Sequence, residues 1–560
     1  MYNQLKNLEL SQQVEMLTRH LVSINSINGT LGEVEIVQEI YRILRSFPYF
    51  EEHPDHLWLQ TIEGDPIGRQ NVFALVKGEK LSKQTVLYHS HIDTVAVEDF
   101  GPLKKDAFST DAMEDFFRGY ENDPVIQQEA LSGDWMFGRG SVDMKSGAAV
   151  HIANTLYFTE HPEELTGNVL LLCNGDEESE HRGIIGALSE LNRLQAEQGL
   201  DFVTAINTDF ITPLYDGDSN RYIYTGAAGK ILPCFHIYGK EVHVGDTLSG
   251  IDPNFIAAKL TERIHNRYAL AEKIPGELVL PPTCLQQRDT KELYTVQTAI
   301  SSHLYFNYFV YEDTPEQILG KLLHEAREAC EETERYLQQQ FEEYIEFTGL
   351  PSRDLSWEID VTTYDKYLQY LIQRGVNVKS IIDEALAKKS GDLRDVSFSI
   401  VSALQEADPE KKARVILFFA PPFLPHNYLK TDVSRDKKIQ SSIAEVLEEM
   451  GELTDECFEL KKFFPYLADG SFLSIHEAEE ELAPLVHNLP EWDNIYTIPF
   501  HTIQKLNIPS VNMGVYGKDG HKWTERVYKP YSFGVLPLLI RKTTMRMLEK
   551  ASEDQSLELV

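Results

Sequence analysis

The chain is poor in positive charge: of 560 residues, 52 are Lys or Arg and 88 are Asp or Glu, a formal net charge of −36. Nucleic acid and anionic membrane surfaces require a surplus of Lys and Arg, so neither is expected as a partner. Cysteine is scarce as well. Cys173, Cys234, Cys284, Cys330 and Cys457 are odd in number and form no C-x-x-C pair, which argues against a disulfide framework and for a reducing compartment. Long apolar runs are missing. Nothing approaches the ~18 consecutive residues of a membrane span, and residues 1–19 hold no apolar signal segment. No internal repeat or low-complexity tract is present. A cytoplasmic globular protein is expected, too long for one core and divided into two or three domains.

What is there follows an α/β rhythm. Helical spacing runs over 14–24 and 33–44, and a buried strand over 85–93 ends in polar residues. Residues 99–134 are acidic and irregular and read as a surface excursion. Further buried strands at 168–173 and 202–206 alternate with helices at 150–158 and 183–194, the pattern of a mostly parallel sheet flanked by helices. Near Tyr222 the rhythm changes. A strand at 231–238, a helix at 254–267, strands at 293–300 and 304–311, a long helix at 315–343 and a strand at 415–419 give the order β-α-β-β-α-β. Residues 1–221 and 428–560 then form one α/β domain, and 222–427 a ferredoxin-like insert enlarged by a helical segment at 349–412.

The strands of the first domain end in metal-capable side chains: His91 with Asp93, Glu177 with Glu178, Asp209, and later His521 with Glu525. In an α/β sheet, ligands gather at the carboxyl ends of strands. Between them, Gly138-Arg139-Gly140-Ser141-Val142-Asp143-Met144-Lys145 holds a lone carboxylate at the mouth of a helix. Each residue alone has a plainer use: Asp143 as an N-cap, His91 as a core histidine, 176–178 as a solvated acidic turn. Their joint placement at element boundaries points instead to a metal site. Imidazole with carboxylate suits zinc, manganese or cobalt better than calcium or magnesium.

His91-Ile92-Asp93-Thr94-Val95, Gly138-Arg139-Gly140 with Asp143-Met144-Lys145, Asp176-Glu177-Glu178, and His521 with Glu525 resemble the M20 metallopeptidase family in order and spacing. Gly517-Lys518-Asp519-Gly520-His521 and Ala420-Pro421-Pro422 further resemble its RocB-type arginine-utilisation branch. The resemblance implies a zinc-peptidase-like catalytic domain, a lid formed by the insert, and two divalent ions, zinc first, with manganese or cobalt as alternatives. By that resemblance Asp143 bridges the ions, Glu178 and His521 complete one site, and His91 and Asp209 the other. Asp93 sits behind His91 and fixes its tautomer, Glu177 is the general base, and His243 in the insert reaches the oxyanion. Some positions depart from the pattern. Ser90 stands where many members have Gly. The third strand of the insert, Tyr305-Phe306-Asn307-Tyr308-Phe309, lacks the arginine many relatives use for a substrate carboxylate. Asp469-Gly470-Ser471 resembles a substrate-side loop.

The function expected is hydrolysis of an amide bond in an N-acyl amino acid or short peptide, with a place in arginine or amino-acid catabolism. The chain would be a monomer or a homodimer joined through its lid. The competing reading is a metal- or ligand-binding protein that kept the fold without catalysis. Glu177 discriminates, because a pure binder needs no base beside the ligands.

Overall fold

The computed structural model describes residues 1–80, 82–388, 391–466 and 468–558, with side chains as far as 552. The chain divides into two units, Met1–Ala228 with His426–Ile475 and Pro499–Val560, and Gly229–Pro425 with His476–Ile498.

The first unit is organised on an eight-stranded sheet. Its strands are β1 (Leu57–Thr61), β2 (Gln70–Lys77), β3 (Gln84–His91), β5 (Asn168–Asn174), β6 (Asp201–Asn207), β7 (Asn220–Tyr224), β15 (Cys457–Lys461) and β16 (Ser510–Asn512). They lie in the order β1-β2-β5-β3-β6-β16-β7-β15. β5, β3, β6 and β16 are mutually parallel. Val86, Leu87 and Tyr88 of β3 have no solvent exposure, as a strand covered on both faces requires. Tyr88 stacks on His151 of the helix Lys145–Glu160, and its hydroxyl meets Thr544 in the helix Leu536–Glu558. A smaller sheet joins β4 (Trp135–Phe137), β17 (Gly517–Lys518) and β18 (Arg526–Tyr528), and a two-residue pair joins β8 (Gly226–Ala227) to β14 (Asn427–Tyr428). The excursion expected to be irregular is ordered instead: it holds the helices Thr110–Arg118 and Pro124–Ser132, which bury Met113, Phe117, Ile126 and Ala130.

The second unit contains β9 (Gly229–Tyr238), β10 (Thr283–Asp289), β11 (Ser301–Val310), β12 (Asp360–Thr363) and β13 (Arg414–Leu424), in the order β10-β11-β9-β13-β12. The expected β-α-β-β-α-β order is present in β9, the helix Pro253–Ile264, β10, β11, the helix Pro315–Thr348 and β13. Its second strand lies earlier than expected. Residues 293–300 form no strand, and Leu293 and Tyr294 are exposed. β10 is the open edge of the sheet, and its polar sequence Thr283-Cys284-Leu285-Gln286-Gln287-Arg288-Asp289 carries no apolar run to mark it. β13 continues through Pro421 and Pro422 because they fall where its register shifts, between Ala420 and Leu424, a place where a missing N–H costs little.

The 349–412 segment has a structural task. β12 extends the sheet beside β13, and the helices Tyr364–Gln373, Val378–Ala387 and Leu393–Glu406 form a core with Cys234, Ile416, Phe418 and Ala420. The helices Pro253–Ile264 and Pro315–Thr348 also pack against strands of this sheet. Residues 476–498, expected in the closing part of the first domain, join this unit. Asn488 Oδ1 accepts from the Asp365 amide, and the Tyr496 hydroxyl donates to Phe423 O.

His236 of β9 and His303 of β11 are cross-strand neighbours under that helical cover, 3.5 and 3.3 Å from Ser402 Oγ. Burial lowers the pKa of His303 to about 4, helped by Arg288, and burial with His303 nearby holds that of His236 well below the ordinary value. Both therefore contribute full stability above their unfolded pKa of about 6.5, and that stability is lost as pH falls toward 4. For His303 alone the loss by pH 4.5 is about 2–3 kcal/mol. His303→Asn should accordingly show a smaller drop in urea midpoint between pH 7.5 and 4.5 than wild type. Equal drops would remove His303 as a source of acid sensitivity.

Candidate metal centre

His91 ends β3, and Asp143 lies in the turn before the helix Lys145–Glu160. Glu177 and Glu178 follow β5, Asp209 follows β6, and His521 lies between β17 and β18. The parallel register sets His91 beside Asn174, and His89 beside Asn207, so three chain exits open on one edge of the sheet. One ligand-capable atom each from His91, Asp143 and Asp209 lies within 4.8 Å of the others, and the same holds for Asp143, Glu178 and His521. Asp143 belongs to both groups. Its Oδ1 is 3.1 Å from His91 Nε2 and its Oδ2 is 2.9 Å from His521 Nε2. Glu178 Oε1 is 3.0 Å from the same His521 nitrogen. Glu177 stands apart, with Oε2 4.0 Å from His91 Nε2. The N-cap role open to Asp143 is taken by Met144, and the helix receives no side-chain cap.

The field of this cluster is strongly negative. Burial pushes Asp209 well above the ordinary carboxylate pKa, and the Asp143 charge adds to it. Burial does the same for Glu177, reinforced by Glu178, Asp469 and Asp209. For Asp143 burial works against ionisation, but hydrogen bonds with His521 and His91 outweigh it and hold the pKa below the ordinary value. Four buried or nearly buried carboxylates thus face two imidazoles, one buried at His91 and one half exposed at His521. That donor set fits divalent cations in charge and in ligand type.

Asp93 is fully buried behind the cluster. Its Oδ1 lies 3.5 Å from His91 Nδ1, a longer approach than a hydrogen bond, and accepts from the Glu177 amide at 3.2 Å. Oδ2 accepts from the Glu178 amide at 3.1 Å and from Asn28 Nδ2 at 2.9 Å. Adjacent side chains at 177 and 178 diverge because Asp93 pins both backbone amides of a turn. Glu525, first grouped with the metal-capable residues, joins neither cluster. Its Oε1 accepts from the amides of Val142 and Asp143, and its Oε2 from Arg139 Nη1 at 2.7 Å. It fixes the loop that presents Asp143.

Sequence reasoning missed Asn28, which ties Asp93 to Asp176 across a long separation. It also missed His181, whose Nδ1 is 2.7 Å from Asp469 Oδ1, in a third group with Glu177. Asn28 carries no local signal, whereas Asp469 was visible only as part of its Gly-containing loop. His89, two residues before His91, turns to Asn174 Oδ1 at 2.7 Å, and burial lowers its pKa. His243 belongs to the second unit, where it is exposed and its Nδ1 accepts from the Gly245 amide at 3.0 Å.

The profile of peptidase family M20/M25/M40 matches residues 87–211. Protein RocB of Bacillus subtilis (strain 168) is 55% identical over 98% of this chain and 97% of its own length. The uncharacterized protein YqjN of the same organism is 32% identical over 97% of this chain and 98% of its own. Among solved structures, a tripeptidase from Staphylococcus aureus superposes with a TM-score of 0.53 at 15% identity, covering 96% of this chain and 99% of that one. An M20 family metallo-carboxypeptidase from Sulfolobus solfataricus gives 0.50 at 12% identity, with coverage of 96% and 99%. These two likenesses establish the α/β fold. With near-full-length identity to RocB added to the family profile, the chain belongs to the M20 peptidases, in the RocB-type branch, and is a metallohydrolase of amide C–N bonds.

Proposed function

We propose that the chain hydrolyses the amide bond of an N-acyl amino acid or short peptide at a dinuclear metal centre. His91, Asp143 and Asp209 would hold one ion and Asp143, Glu178 and His521 the other. The observation that carries this reading is the Asp143 carboxylate, whose two oxygens face different histidines. Bound there, two divalent cations would polarise a carbonyl oxygen and acidify water. Glu177, beside the ligands but not among them, takes a proton from the attacking water and delivers it to the departing nitrogen. The water oxygen bonds to the acyl carbon, the C–N bond breaks, and the amine leaves with the proton that Glu177 delivers, while the second water proton stays on the new carboxyl group and is lost as that acid ionises. Asp93 and Glu525 hold the turns that carry Glu177, Glu178 and Asp143 in place. The RocB-type resemblance supports a substrate from arginine or amino-acid catabolism.

Chelator-stripped protein restored with zinc, manganese or cobalt, then screened on N-acyl amino acids and dipeptides, tests the whole reading. Up to two ions per chain and metal-dependent cleavage are expected. A wild-type chain that takes up no specific ion under saturating zinc overturns it.

His243 is the oxyanion donor in this reading. Because its Nδ1 accepts from Gly245, the neutral ring carries its proton on Nε2 and offers it as a donor. His243→Ala should lower kcat by ~10²–10³, the usual loss of one such donor, with metal content unchanged. Mixing that variant with a Glu177→Gln chain separates two arrangements: recovered activity places His243 in a partner's site, and none places it in its own. Near-wild-type turnover of His243→Ala removes the assignment.

A further inference from the structure

His521 is an awkward residue to hold. Its side chain is half exposed, so packing does not fix it, and its backbone and that of Asp519 lie in the left-handed region, at φ 65° and 60°. Non-glycine residues persist there only when their surroundings enforce it. The loop 519–525 that carries them closes the hairpin of β17 and β18. Within the loop, Asp519 Oδ2 accepts from Arg526 Nη1 at 2.6 Å and Thr524 Oγ1 at 2.9 Å.

The rest of the support comes from the excursion. Glu129 on the helix Pro124–Ser132 accepts from Lys518 Nζ of β17 with Oε1 and from Arg526 Nε of β18 with Oε2, both at 2.6 Å. One carboxylate therefore spans both strands of the hairpin. β18 pairs with β4 at the end of the excursion, Val527 opposite Met136. Trp523, two residues beyond His521, packs on Phe117 and Tyr120 with ring centroids 5.3 and 5.4 Å away. On its other side, Gly520 lies against Phe210, next to Asp209, where a Cβ would come within 2.8 Å of the Phe210 ring. The buried Arg526 guanidinium also stacks near Trp135, at 5.5 Å.

We propose that Glu129 is a positioning residue for His521, and that the excursion serves as the support of one half of the metal centre. The inference rests on His521 being a ligand, as proposed above. Without Glu129 the two strands keep their short ladder, but two cations lose their shared partner and the strained loop relaxes. The imidazole is then no longer presented at a fixed distance from Asp143 and Glu178.

The test is zinc affinity measured for each of two ions by chelator competition, in wild type, His521→Ala, Glu129→Ala, Glu129→Gln and Lys518→Met. Glu129→Ala should weaken one ion by about 10–100-fold, the range seen when groups that orient a ligand are removed, and leave the other unchanged. The weakened ion should be the one that His521→Ala loses. Glu129→Gln, which keeps one acceptor and the volume, should recover part of the affinity, and Lys518→Met should fall between wild type and Glu129→Ala. A general loss of stability would weaken both ions together and would not be rescued by glutamine, and that pattern overturns the proposal. So do wild-type affinities in Glu129→Ala where His521→Ala has lost an ion. If Glu129→Ala does not fold, Lys518→Met and Glu129→Gln decide by the same criterion. If His521→Ala keeps both ions at full affinity, the ligand assignment itself fails and the positioning role goes with it.

Discussion

Glu177→Gln is expected to keep its metal and its fold and to lose turnover by ~10²–10⁴, the usual share of general base catalysis. Glutamine matches the volume of the side chain and leaves intact the Glu177 amide bond to Asp93 at 3.2 Å. What it removes is a proton acceptor. In the native chain, burial pushes the Glu177 pKa well above the ordinary value, against the opposing effect of His91, which brings an acid of its type closer to the working pH of a base. Glu178→Gln provides the contrast. Glu178 Oε1 stands 3.0 Å from His521 Nε2 within a ligand group, whereas Glu177 belongs to neither group that contains Asp143. The Glu178 variant should lose metal first and turnover as a consequence. Metal content and single-turnover rates, measured on both variants at saturating zinc, separate the cases. Equal metal loss in the two would mean that the roles of the adjacent glutamates are reversed or shared.

Much of this centre was legible before any coordinate, for a physical reason. The strands that carry it are buried on both faces, so 85–88, 168–173 and 202–206 stand out as apolar runs, and the change to polar residues marks where each leaves the core. His91, Glu177, Glu178 and Asp209 follow directly from those ends. Asp143 stands out as the lone carboxylate of the glycine-flanked stretch before its helix, whereas His521, grouped with the strand ends, follows a strand of only two residues, Gly517–Lys518, with no apolar run behind it. What stayed hidden depends on contacts between distant segments. Glu525 bonds to amides more than 380 residues away in sequence, and four residues from His521 it looked like another ligand. Asn28 meets Asp93 across a separation of 65 residues. β10 escaped notice because an exposed edge strand needs no apolar face, while the apolar but exposed 293–300 imitated one. The excursion at 99–134 was acidic enough to pass for solvent-facing loop. Its apolar residues recur only over two helices of nine residues each, too short for a clear period.

Asp143→Ala should release both ions, while Asp143→Asn should retain at most one, weakly. Asparagine keeps the volume of the side chain but has a single oxygen, and its amide group would present hydrogens to whichever histidine it faced. It cannot serve both His91 and His521, which the native carboxylate meets at 3.1 and 2.9 Å. Alanine serves neither. Loss of a shared ligand should exceed the ~10–100-fold that removal of a merely orienting partner costs, and cleavage should fall to background. The fold has reason to survive. The Asp143 amide stays bonded to Glu525, and deleting one of four crowded carboxylates relieves repulsion with Glu178 and Asp209. Thermal unfolding can therefore separate ligand loss from misfolding. A ligand that binds only the native state raises Tm through mass action, so wild type should gain stability between chelator and excess zinc. Asp143→Ala should melt with similar cooperativity in both, without that gain. If it instead binds two ions at wild-type affinity, Asp143 is not the shared ligand, and the two groups of side chains must be read as separate sites whatever the activity.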